Sequence, residues 1–289
     1  EAFVRQSEKG LLLPRLVAIG DGELDEKAGS AFDPIDESPF PPAIEPLHRQ
    51  LLLAQLIQQE RGVDGIEAMR LAVDLGRVLD QLAIEEVPPS RLAELDLSGE
   101  LSNHWTSSLN HLRAILELWP RELERRGCID LADRRNRLLR RVAERWKARP
   151  PAGFVVAAGV STGAPAVAEL LGCVARMSCG QVVLAGLDCD IPDTQWDAIG
   201  GSETAPAIET HPQFHLHQLL SRMKVGRGEV RPWTWSGDRE STTKRARAIS
   251  NAFAPAEYTS NWVQLKNADR ILSGVVALEL SNPAEEAQA

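Results

Sequence analysis

Apolar residues recur through the first half of the chain at a helical period. Between Leu47 and Glu60 they fall at 47, 51, 54 and 57, with more at 52, 53 and 56, which predicts a helix with a wide buried face. Gly65–Ile84 repeats the pattern through Ile66, Met69, Val73, Leu75, Val78, Leu79 and Leu82. Pro88-Pro89-Ser90 breaks it, and a short helix follows. Ser98–Arg126 is amphipathic through Leu101, Trp105, Leu109, Leu112, Leu116 and Trp119, with Pro120 expected to kink or divide it and Gly127 to end it. Asp130–Ala148 is an arginine-rich helix, and Pro150-Pro151 closes the helical region.

Beyond Pro151 the period changes. Gly153–Ala158 reads as a strand, Gly159–Pro165 as a turn, Ala166–Met177 as a helix and Gln181–Leu187 as a second strand. That succession is a βαβ unit and implies parallel strands. Thr194–Ile199 reads as a helical turn, Ser202–His211 as a loop, Gln213–Met223 and Glu240–Ala252 as helices, and Ile271–Leu280 as a last strand. Upstream, Leu11–Ile19 between two glycines reads as a buried strand. The acidic stretch 21–42, with Pro34, Pro39, Pro41 and Pro42, reads as a surface loop. The layout is an α/β sheet interrupted by helices over residues 47–150, too long for an ordinary loop. Residues 1–46 and 151–289 would then form one discontinuous α/β domain.

Composition narrows the class. The 289 residues are 43% hydrophobic and 25% charged, with a mean hydropathy of -0.21. This excludes a disordered tail, a collagen-like fibre and a disulfide-stapled miniprotein. No apolar run approaches the roughly 18 residues of a membrane helix, so no membrane partner is expected. Cys128, Cys173, Cys179 and Cys189 lack CxxC spacing and fit idle thiols in a reducing cytoplasm. The opening residues Glu1–Arg5 read as the last turns of a helix, and Asn282-Pro283 with two glutamates as the start of another. The chain is therefore expected to be a piece of a longer protein.

Charge is uneven within a net of -9. Residues 1–120 sum to -11, residues 121–149 to +6 and residues 150–289 to -4. The basic segment holds Arg125, Arg126, Arg134, Arg135, Arg137, Arg140, Arg141, Arg145, Lys147 and Arg149 around Trp146. Phosphates attract such a stripe through counterion release and bidentate guanidinium contacts. The competing reading is a solvated face with pairs such as Arg140–Glu144. Lys244-Arg245-Ala246-Arg247 is a second, weaker patch. Trp233 and Trp235 would share one side of a strand, for packing or for base stacking.

The Gly159–Pro165 loop could hold an anion at a helix start, but it has neither a P-loop ending nor a dinucleotide fingerprint and reads as a tight turn. His211 and His215 are four apart, yet Pro212 lies at the helix start and no cysteine or carboxylate is near, so no metal is expected. Spacing nominates no catalytic acid pair, Ser/His/Asp set or cysteine nucleophile.

Several blocks, in order, resemble the alphaproteobacterial type of AddB, the partner of AddA in a helicase–nuclease that processes broken DNA ends for recombination. They are Glu1-Ala2-Phe3-Val4, Leu12-Leu13-Pro14-Arg15, Pro46–Leu53, His104-Trp105, Trp119-Pro120 and Arg126–Asp130. Further on come Arg134–Leu139, Pro150–Gly153, Val182–Asp188, His211–Phe214 and Glu229–Trp233. The resemblance implies a superfamily-I helicase-like domain (P-loop NTPase-like), its parallel sheet interrupted by an all-helical insertion. The first strand and any phosphate loop would precede Glu1. The family's nuclease domain and iron–sulfur cysteines would lie downstream, so ATP with Mg and an iron–sulfur cluster are expected only elsewhere in the full complex.

The chain departs from a working motor. In active helicases the strand matching Phe154–Ala158 ends in an Asp-Glu pair that holds Mg²⁺ and positions the attacking water. Here the slot reads Ala157-Ala158-Gly159-Val160-Ser161-Thr162. The following strand would lead into a Gly-Asp-x-x-Gln sensor, and here it reads Gly186-Leu187-Asp188-Cys189-Asp190. Ser161, Thr162 and Asp188 are thus degenerate nucleotide-site positions, and no catalytic residue is assigned. The expectation is a cytoplasmic scaffold that does not hydrolyse ATP. It would touch double- and single-stranded DNA through Arg125, Arg126, Arg134, Arg135, Arg137, Arg141 and Arg145 while an AddA-like subunit supplies the motor. The alternatives are an ATPase domain using the Gly159–Pro165 loop and a pure protein-interaction domain.

Overall fold

The first two helices begin where a side chain can accept their unpaired amides. Pro46 opens α1 (Pro46–Arg61), and the Glu45 carboxylate accepts the His48 N–H at 2.8 Å. Asp64 starts α2 (Gly65–Ile84) by accepting the Ile66 and Glu67 amides, both at 2.9 Å. The computed structural model describes residues 16–19, 40–88, 91, 103–202, 204–232, 239–264 and 278–288, with side chains except at 103–111, 239–245, 261 and 264. α3 (Asn103–Arg125) runs through Pro120, which has no N–H for the Leu116 carbonyl; Trp119 and Leu123 on either side are buried. α4 spans Leu131–Ala148.

The chain divides into two compact units, residues 1–183 and 184–289. In the first, Leu52, Leu53 and Ile57 of α1 pack with Ala72, Leu75 and Leu79 of α2 and Ile115, Leu116 and Trp119 of α3. A polar hub ties the same helices. Asp130 precedes α4 but makes no capping bond; its carboxylate accepts the Trp119 indole N–H at 2.8 Å and pairs with Arg49 Nε at 2.8 Å. Arg49 also reaches Asp80 on α2, at 2.9 Å.

The βαβ segment follows. β1 (Val155–Ala158) and β2 (Gly180–Val183) pair in parallel, Val155 opposite Gly180 and Ala158 opposite Val183, around α5 (Pro165–Arg176). β2 is shorter than expected: its pairing ends with Val183 opposite Ala158, where Gly159, at φ +71°, takes the partner strand out of the ladder. A Cβ at Gly180 would lie 2.0 Å from the Val174 carbonyl oxygen, so the short return from α5 to β2 requires glycine there. α4 packs along α5, and the Cys173 thiol reaches the Ala143 carbonyl at 3.5 Å. The small residues Ala166, Ala168 and Gly172 suit α5 to its buried setting. This packing explains why the helices of 47–150 share a unit with the strands of 155–183.

The second unit contains α6 (Asp193–Gly200), α7 (Phe214–Met223), α8 (Arg239–Ala252), α9 (Asn261–Gln264) and α10 (Pro283–Gln288). Ile191, Trp196, Ile199 and Leu220 form a cluster, with Phe214, Val225 and Val230 against it. A Cβ at Gly200 would meet the His217 ring at 2.1 Å, so a larger residue there would require that ring to shift. Asn282 caps α10, its side-chain Oδ1 accepting the Ala284 and Glu285 amides at 3.1 and 3.0 Å.

Several expected elements fall wholly or mostly outside the described residues: the short helix after Ser90, most of the 21–42 loop, and most of the strands at Leu11–Ile19 and Ile271–Leu280. The described ends of those two strands, 16–19 and 278–280, carry no strand pairing, and Leu16 is exposed.

Candidate nucleic-acid interface

Placing the basic residues on one helix does not leave them all facing water. Leu139, Val142 and Ala143 bury one side of α4, and the arginines beside them meet neighbouring chain. Arg134 donates from Nε to the Pro41 carbonyl at 3.0 Å, and Arg141 lies 3.4 Å over the Phe40 ring. Burial lowers the pKa of both Arg134 and Arg135. The Arg135 Nε is buried without a hydrogen-bond partner.

The outer arginines are laced to carboxylates. Arg137 makes a two-bond contact with Asp133, at 3.0 and 2.8 Å. Arg140 hydrogen-bonds Glu86 beyond α2 and Glu169 on α5, the latter at 2.6 Å, and Glu144 adds a weaker electrostatic attraction. Lys147 reaches the second oxygen of Glu169 at 2.7 Å. At the end of α3, Arg125 and Arg126 share Glu122, whose pKa their hydrogen bonds pull down to about 2. Arg126 also meets His48 at 3.3 Å. Arg145 is partly exposed. Counting Glu86 and Glu169 with residues 121–149 lowers the net charge from +6 to +4. Exposed ion pairs are worth only about 0–1 kcal/mol. A phosphate can therefore replace a carboxylate here, but it substitutes for a contact instead of adding one.

The degenerate nucleotide positions are occupied by local structure. Ser161 and Thr162 are exposed, and the Thr162 hydroxyl accepts the Ala164 amide at 3.2 Å. Pro165, at the start of α5, has no N–H to offer an anion. Residues 153–165 contain no carboxylate. In the second unit, Asp188 accepts the Asp190 and Ile191 amides at 2.8 and 3.0 Å, while its own amide donates to Gln213 at 2.9 Å. Its carboxylate closes a turn. Arg227 ties the same loop to the Ile191 carbonyl at 2.6 Å.

The histidine pair is not assembled as a ligand set. His211 Nε2 lies 2.8 Å from the Phe253 carbonyl, and Nδ1 accepts the Gln213 amide at 3.1 Å. Both nitrogens are engaged by the neutral tautomer with the proton on Nε2. No group of three or more metal-capable side chains occurs among the described residues. Trp233 and Trp235 lie outside the described residues; Lys244 and Arg245 lie on α8, and Arg247 is exposed.

Sequence reasoning missed the partners more than the arginines. Glu86, Glu169 and Pro41 are 54, 29 and 93 residues away from the side chains they hold, beyond the reach of helical spacing rules. No protein family matches the chain, and no curated protein or solved structure matches it.

Proposed function

We propose that the chain is a helicase-like scaffold of the AddB kind that contacts double- and single-stranded DNA without hydrolysing ATP, beside an AddA-like motor and nuclease subunit. The observation that carries this reading is the end of β1. A parallel strand–loop–helix–strand unit is present, and the place where a motor would hold Mg²⁺ offers alanine, glycine, Ser161 and Thr162. Without a carboxylate–metal pair, the charge that develops on a transferring phosphoryl group has no clamp. The net +4 around α4 supports polyanion contact. A cytoplasmic setting accords with four free thiols, and no helix among the described residues is long and apolar enough to cross a membrane.

The lacing of α4 favours a second reading, a pure interaction domain whose arginines serve the fold. Fluorescence anisotropy with labelled DNA separates the two. The scaffold reading expects binding that weakens with salt and falls several-fold in Arg137→Ala/Arg145→Ala, with no Mg-dependent ATP turnover. Undetectable DNA binding at low salt, together with capture of the AddA-like subunit, would establish the interaction domain instead. Saturable ATP binding lost on Gly163→Val would support the nucleotide-using alternative.

A further inference from the structure

Beyond α4, the second unit presents apolar side chains on an anchored backbone. The Phe253 carbonyl is held by His211 and its amide donates to Ile249 and Ser250, each at 3.2 Å. Pro255 is buried, and the Tyr258 hydroxyl reaches the Thr194 carbonyl at 3.3 Å. The Trp262 indole N–H donates to the Asn251 carbonyl at 2.5 Å, which sets the ring against the end of α8. On this fixed frame Phe253 remains 55% and Trp262 46% exposed. Ile249 and Val263 are also exposed.

Charge distinguishes this surface from an ordinary apolar patch. α8 carries Arg239, Lys244, Arg245 and Arg247 against Glu240 alone, in a unit whose net charge is -4. Arg247, six residues before Phe253, faces solvent. Exposed aromatic residues on an anchored backbone, next in sequence to a short basic run, match the needs of a single strand, whose bases stack while its phosphates follow the cations. A duplex keeps its bases stacked inside and gains little from exposed rings.

We propose that Phe253 and Trp262 form a stacking platform for a single-stranded polynucleotide whose phosphates run along α8. This rests on the DNA-contacting reading above and places a strand-selective contact on different residues from α4. The test is anisotropy titration of the whole chain with oligothymidylate and with a duplex of equal length. Phe253→Leu/Trp262→Leu keeps the apolar volume and removes the aromatic faces. It is expected to lose about tenfold or more in oligothymidylate affinity and less than twofold for duplex, with Trp262→Phe restoring most of the loss. Circular dichroism of each variant checks that the helices persist. Wild-type affinity for oligothymidylate in the double leucine variant would overturn the platform while leaving the α4 reading intact. So would unchanged DNA binding accompanied by lost capture of a protein subunit. If the unaltered chain binds neither probe at low salt, both proposals fail.

Discussion

Asp130 occupies a helix-capping position and spends its carboxylate elsewhere, on the Trp119 indole and the Arg49 guanidinium. Burial raises its pKa, against the pull of Arg49 and the indole. Asp130→Asn would leave Arg49 with one fewer counter-charge in a mostly buried setting. Because Arg49 keeps Asp80 and burial already opposes the Asp130 charge, urea unfolding at neutral pH should show a loss of about 1 kcal/mol, less than for an unpaired buried arginine. Glu122 has the opposite sign in acid. Its folded value of about 2 lies below its ordinary 4.5, so its pairing stabilises the fold above 4.5 and is lost as the pH falls toward 2. Glu122→Gln is therefore expected to be less stable at neutral pH and to show a flatter stability profile between those values. For Asp130 the folded chain keeps its proton longer than the unfolded chain, so its contribution declines as the pH rises through the raised value. Following both variants by denaturation at stepped pH separates the two signs.

At the scale of elements, the helices were legible because apolar spacing and capping residues agree. Asn282 marks a helix start in the sequence and serves as such in the fold, whereas the roles of Pro46 and Asp64 at the starts of α1 and α2 emerged from the structure. The order strand–turn–helix–strand was equally plain from Phe154 to Val183. What spacing did not show is tertiary. The Arg140 partners come from beyond α2 and from α5, and Gly200 lies against the ring of His217 on another helix. Gly200→Ala should cost about 1 kcal/mol or less, because the ring of the partly buried His217 can turn aside. A thermal-melt series with Gly200→Ala and Gly228→Ala provides the contrast, since a Cβ at Gly228 meets nothing within 4 Å. Equal melting points would show that the His217 ring turns aside freely. The candidate nucleic-acid stripe was legible as charge and illegible as availability, because sequence counts arginines but not the distant oxygens they have taken.

For the whole molecule, a net charge of -9 sets polyanions at a disadvantage that only local surfaces can overcome. With the α4 arginines largely paired, few counterions remain to be released. The slope of log affinity against log salt for duplex DNA should be shallow, about -2 to -3, equivalent to two or three phosphates. A slope near -6 would mean that the intramolecular pairs open completely. The Arg140–Glu86 and Arg140–Glu169 contacts also join α4 to the end of α2 and to α5. Those guanidinium bonds serve architecture and ligand alike. A polyanion that captures Arg140 must unfasten a brace to do so, and heparin, competing for the same fork of nitrogens, would soften this corner of the protein even while it bound.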